Sequence, residues 1–189
     1  MSTLDNPINS PAENVSPWST ALRYGGLTAL AVIVVQLITH LMGYTDPARG
    51  QEPMAMVLSL LSFVVWIAGI VMAVKAYRTA VGGYLSFGKA FQAAFFTILI
   101  AALVSLVWNI LFTSVIEPDF YQNLLDGMRD AMEEQGAPDE TIDMMMGYYE
   151  ILFSPFIGPL AGLVSAAIGG SIVALIVGAI MKKDPPMDS

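Results

Sequence analysis

Residues 87–115 read FGKAFQAAFFTILIAALVSLVWNILFTSV, and this stretch decides the fold. Between Lys89 and Glu117 no charged residue occurs. An uninterrupted apolar run of that length, at 1.5 Å per residue, exceeds the roughly 30 Å of hydrocarbon in a bilayer. Working outward, three more blocks of the same kind occur at about 22–42, 54–77 and 155–181. The composition agrees: 56% hydrophobic and 13% charged, where soluble domains run at about 45–50% and about 25%. The fold class expected is an all-α membrane protein, an antiparallel four-helix transmembrane bundle.

The flanks of these blocks carry the usual punctuation. Trp18 and Tyr24 sit at the start of the first block and Tyr44 at its end, positions suited to rings at headgroup level. Pro47, Gly50 and Pro53 break the chain before the second block, and a short basic link with Lys75, Arg78, Gly82, Gly83 and Lys89 precedes the third. Residues 1–21 are expected as a disordered tail. With no basic start and a following apolar run too long for a signal peptide, the first block is expected to stay as an anchor. Residues 184–189 form a second tail, leaving 22–183 as the membrane domain.

Residues 117–153, between the third and fourth blocks, are too polar to cross a bilayer but periodic. Phe120, Leu124, Met128 and Met132 recur at helical spacing, as do Ile142, Met145, Met146 and Tyr149. Gly136, Ala137 and Pro138 separate the two runs, so the segment reads as an external two-helix amphipathic hairpin between spans 3 and 4. Ten acidic residues against one basic residue between Glu117 and Glu150 give −9, which with a total of −8 leaves +1 for the rest of the chain. With four spans, Arg23, Lys75, Arg78, Lys89, Lys182 and Lys183 share one side and Arg49 and Arg129 the other. The positive-inside bias then places both termini in the cytoplasm and the hairpin outside, in a cytoplasmic (inner) membrane.

The stretch from Gly82 through Tyr84, Leu85, Ser86, Phe87, Gly88, Lys89 and Ala90 to Phe91 resembles the link before the third span in the DUF4199 family of bacterial membrane proteins of unknown function. Ile116, Glu117, Pro118, Asp119 and Phe120 resemble that family's exit from the third span. The polar, Met- and Glu-rich insert and a last span ending in lysines extend the resemblance to about residues 22–183. It supports the topology and carries over no catalytic or binding residue.

Three constellations stand out. His40, Asn109 and Glu117 are expected at similar depth near the outer surface, because Ser105, Asn109, Thr113 and Glu117 step along span 3 four at a time. They form either a structural polar cap or, less in keeping with so shallow a depth, a ligand or proton site. Gly158, Gly162, Ala166, Gly170, Ala174 and Gly178 make a small-residue stripe on span 4, read as packing against the other spans, with a dimer seam or a sliding helix as the sharper option. Met128, Met132, Met145 and Met146 are the candidate docking face of the hairpin, toward the bundle, the bilayer or a partner.

The acidic hairpin lacks the spacing of a calcium loop, so its carboxylates read as a solvated face. The chain has no cysteine and one histidine, which removes thiolate chemistry and multi-histidine metal sites. No catalytic residue, metal or cofactor is expected, and the acidic balance disfavours nucleic acid. The partners expected are the lipid bilayer and either a protein partner or a second copy, through the hairpin or span 4. The function expected is a non-enzymatic assembly or interaction module using the external hairpin, with a small carrier or channel subunit as the alternative.

Overall fold

A computed structural model describes residues 16–50, 52–154 and 157–183. Among them are six α-helices and no multi-residue strand: α1 (Pro17–Leu41), α2 (Pro53–Ala80), α3 (Phe87–Leu111), α4 (Phe120–Glu134), α5 (Asp139–Leu152) and α6 (Ile157–Met181). A 3-10 turn, Pro47–Arg49, lies between α1 and α2, and a π-helical segment, Phe112–Ile116, prolongs α3. Four helices are long and apolar enough to span a membrane, α3 doing so together with its π segment. The molecule is a multi-pass, all-α membrane protein with a two-helix hairpin between its third and fourth spans.

Local chemistry sets the helix ends. Residues 1–15 and 184–189 of the expected tails lie outside the described residues, but α1 begins at Pro17, ahead of the expected 22. Pro17 suits a first helical turn, and the Ser16 hydroxyl accepts a hydrogen bond from the Trp18 amide at 3.2 Å. At the start of α6 the Ile157 amide donates to the Ser154 hydroxyl at 3.2 Å. Between α2 and α3, Gly82 and Gly83 take φ values of +88° and +90°, a left-handed conformation that other residues adopt only with strain. This turn lets Leu85 exchange both backbone hydrogen bonds with Lys183, at 2.8 and 2.9 Å, tying the α2–α3 link to the end of α6.

α3 is the central helix: it packs on α6, α1 and α2, while α1 also packs on α2. The main core lies at the end of the bundle where the chain termini are. It gathers Ile70, Val74 and Tyr77 of α2, Leu85 of the link, Ala90, Ala94 and Ile98 of α3, and Ala174 and Val177 of α6. Small residues bring backbones together there. The space a side chain on Gly69 would need is filled by Thr28 of α1, and a Cβ on Gly25 would stand 2.8 Å from the Thr97 carbonyl oxygen. Elsewhere the helices present large apolar side chains outward, among them Leu27, Leu60, Phe63, Val107, Ile168 and Ile172, as a lipid-facing surface requires.

Candidate functional site

The opposite end of the bundle, where the hairpin sits, is built differently. α3 ends in a π turn in which the Glu117 amide donates to the Phe112 carbonyl at 2.8 Å. A π turn takes in one more residue than an α turn. It therefore rotates the residues beyond it by about 100°, one residue's share of a helical turn. Ser105 and Asn109 hold one line on α3, but Glu117, beyond the π turn, is swung off it toward α1. There its carboxylate meets His40 Nε2 at 2.6 Å. His40 Nδ1 lies 3.3 Å from the Thr45 hydroxyl, and the imidazole stands edge-on to the Phe112 and Phe120 rings at 5.1 and 6.2 Å.

Asn109 belongs to a second contact. Its Oδ1 accepts a hydrogen bond from the Tyr121 hydroxyl at 2.9 Å, so the structure brings His40 to Glu117 and Asn109 to the hairpin. Sequence periodicity places Tyr121 on the hairpin's apolar face and gives no hint of this bond. The available signal is that a half-buried tyrosine needs a partner for its hydroxyl. Tyr121 also stacks on Phe153, which stacks in turn on Tyr149 of α5, at 5.8 and 6.1 Å.

The hairpin is held on the molecule's own rim. α4 packs on α5 and on the 3-10 turn, where Pro47 Cδ lies 3.1 Å from the position a Cβ on Gly127 would take. Arg129 reaches Asp143 across the hairpin at 3.4 Å. The turn is braced by Arg49, which donates to Glu52 at 2.8 and 3.2 Å and to the Met42 carbonyl at 2.9 Å, with its guanidinium over the Tyr44 ring at 4.3 Å. The hydrogen bond with Glu52 raises the Arg49 pKa above its ordinary value, and the same bond lowers that of Glu52. Of the four methionines singled out in the hairpin, Met146 is buried and Met128, Met132 and Met145 are half-buried. A different line on α5 stays exposed: Met144, Tyr148 and Ile151, at 69%, 61% and 59%.

Beneath the hairpin lies a cavity of ≈ 700 Å³. α3 forms its floor from Ile98 to Asn109, and Ala29, Val32 and Gln36 of α1 face Gly158, Gly162 and Ala166 of α6 across it, with Trp66 of α2 also in its wall. α1 and α6 each pack on α3 and scarcely on one another. Phe120, Tyr121, Leu124 and Phe153 roof the space. Beyond Gly158, where a Cβ would stand 2.9 Å from the Leu152 carbonyl oxygen, the α6 stripe divides. A Cβ on Gly170 would stand 2.6 Å from Ile98 Cγ2, and one on Gly178 3.2 Å from the Phe91 backbone nitrogen, whereas one on Gly162 would meet nothing within 4 Å. Neither Gln36 nor Ser105, both lining the cavity, has a hydrogen bond from its side chain to another described residue.

On the far side of Phe120 and Leu124 a second recess, of ≈ 450 Å³, is lined by Asp46, Glu117, Asp126, Asp130 and Glu134. Among the described residues, no three His, Asp or Glu side chains come together in a set able to hold a metal ion.

A family model described as "Protein of unknown function (DUF4199)" matches residues 23–183. No curated protein matches, and no solved structure does.

Proposed function

We propose, for a chain that belongs to the DUF4199 family, a non-enzymatic interaction module of the cytoplasmic membrane that engages a protein partner through the outer side of its hairpin. The observation that carries this is the exposed line Met144, Tyr148 and Ile151 on α5. Ile142 and Met146 of the same helix are buried, so the hairpin's apolar surface exceeds what its own packing covers. Asp139, Asp143 and Glu150 run beside the exposed line, and their charge opposes a seat on anionic headgroups. A protein surface therefore suits it better than the bilayer.

Two further features support a module over a small carrier or channel subunit. The hairpin is tied to the bundle by Tyr121–Asn109, His40–Glu117 and the Gly127–Pro47 contact, as a docking platform requires. The cavity beneath it stops above a core in which Ile70, Ala73, Val74 and Ala94 have no exposed surface. Both termini face the cytoplasm in this proposal, on the six-to-two division of basic residues. Gly136→Cys, in a chain without cysteines, tests the orientation: an impermeant thiol reagent labels it in intact cells, and labelling only after permeabilisation contradicts it.

A photocrosslinking residue in place of Tyr148, activated in native membranes, tests the partner. A protein adduct is expected, and the joint change Met144→Gln with Ile151→Gln removes it without lowering thermal stability. Adducts with lipid alone, or none, count against the module.

A further inference from the structure

We infer that the cleft between α1, α3 and α6 binds an uncharged amphiphile drawn from the bilayer, its chain lying along Ile98, Gly162 and Ala166 and its polar head toward Gln36, Asn109 and Tyr121. The partner-binding line on α5 plays no part in this site.

Dimensions come first. The floor of the cleft runs from Ile98 to Asn109 on α3, roughly 16 Å at 1.5 Å per residue. That is close to the depth of one leaflet, about half of the 30 Å hydrocarbon layer. The volume of ≈ 700 Å³ falls within the range of about 300–1,000 Å³ usual for small-molecule sites. Because α1 and α6 scarcely touch, the space lies between two lipid-exposed helices, and a chain reaches it sideways from the bilayer. Water is a poor occupant beside Ala29, Val32, Ile98, Ala101 and Ala166, whose side chains offer no hydrogen bond.

The polar groups define the head. They are concentrated toward the hairpin end: Gln36 in the last two turns of α1, Ser105 and Asn109 in the last two of α3, Tyr121 at the start of α4 and Ser165 in the third turn of α6. The side chains of Gln36, which is exposed, and of Ser105, which is half-buried, make no hydrogen bond to another described residue, so both are open to a head group that enters the cleft. A hydroxyl, ester or amide head satisfies both. Charge complementarity excludes an anionic one. None of the residues lining the cleft is charged, and the recess beyond Phe120 and Leu124 presents Glu117, Asp126, Asp130 and Glu134, which repel a phosphate.

The test uses the full chain in phosphatidylcholine nanodiscs carrying one of two probes with the same diazirine-bearing chains: diacylglycerol, which is neutral, or phosphatidic acid, which is anionic. Diacylglycerol adducts within residues 29–36, 98–109 and 158–166 are expected to exceed phosphatidic acid adducts several-fold. Gly162→Phe fills the cleft from a position with open space around it, and cleft labelling should fall to that of lipid-facing Leu60 and Phe63. Gln36→Leu should keep chain labelling and lose the preference for the neutral head. Equal labelling by the two probes overturns the inference, as does unchanged cleft labelling in a folded Gly162→Phe protein or intermolecular adducts showing a second copy seated in the cleft. If Gly162→Phe fails to fold, Gln36→Leu decides alone: an undiminished neutral preference overturns the assignment of the head site.

Discussion

The two ends of α6 carry the same small-residue pattern and put it to different uses. Toward the chain termini, Gly170, Ala174 and Gly178 lie against α3, with Ile98 and the Phe91 backbone where side chains would otherwise go. Toward the hairpin, Gly162 faces open space and, with Ala166, forms a cavity wall. Small residues at four-residue intervals permit close approach of a neighbouring backbone, but they do not supply the neighbour. Where α3 comes up to the stripe the result is packing, and where α1 stays away it is a cleft. Periodicity measures permission, and the arrangement of the other helices determines what it permits.

The sharpest way to break this contrast is to insert bulk at the closed end. Gly69→Leu puts a side chain where Thr28 of α1 already sits. Overpacking of a filled site costs about 1–3 kcal/mol, sometimes more, and the upper end is expected in thermal melts of the detergent-solubilised protein. A melting temperature equal to the parent's would mean that α1 and α2 separate freely.

Polar contacts at the hairpin end should cost less. Tyr121→Phe removes the hydroxyl bonded to Asn109, and a hydrogen bond of this kind contributes about 1 kcal/mol. Hydrogen exchange at the start of α4 should quicken while the termini-end core stays protected. Uniform quickening through the bundle would contradict the division into two ends.

The smallest effect is expected at the exposed Arg49–Glu52 brace. Pairing lowers the Glu52 pKa below its ordinary 4.5, so its contribution is present above that value and is lost as pH falls through the depressed folded-state pKa. Local exchange in the Pro47–Arg49 turn should rise only in acid, and Glu52→Gln should remove the step. A step persisting in Glu52→Gln would assign it to the neighbouring carboxylates instead.

Much of the fold is legible in the sequence because its signals are local. The uncharged run before Glu117 sets a span by length alone, and Gly136 to Pro138 separates two amphipathic periods. The site is less legible because its signals are not local. A projection of Ser105, Asn109 and Thr113 carries Glu117 onto the same line, and the π turn at Phe112–Ile116 removes it; no residue type in that segment announces the extra residue. Gln36 is visible as a polar residue in an apolar block, yet its position beside a cleft depends on the distance between α1 and α6. The spacing of the hairpin's methionines marks an apolar face, but which side of α5 remains exposed is fixed by where α4 packs.

The division of the α6 stripe is tested most directly by comparing Gly170→Leu with Gly162→Leu in thermal melts under one condition. Gly170→Leu drives a side chain into Ile98 and should lower stability by up to about 3 kcal/mol, whereas Gly162→Leu enters open space and should match the parent or exceed it, because leucine favours helix over glycine by somewhat under ~1 kcal/mol. Equal losses at the two positions would show that the hairpin end is as tightly packed as the other, and the cleft would not exist.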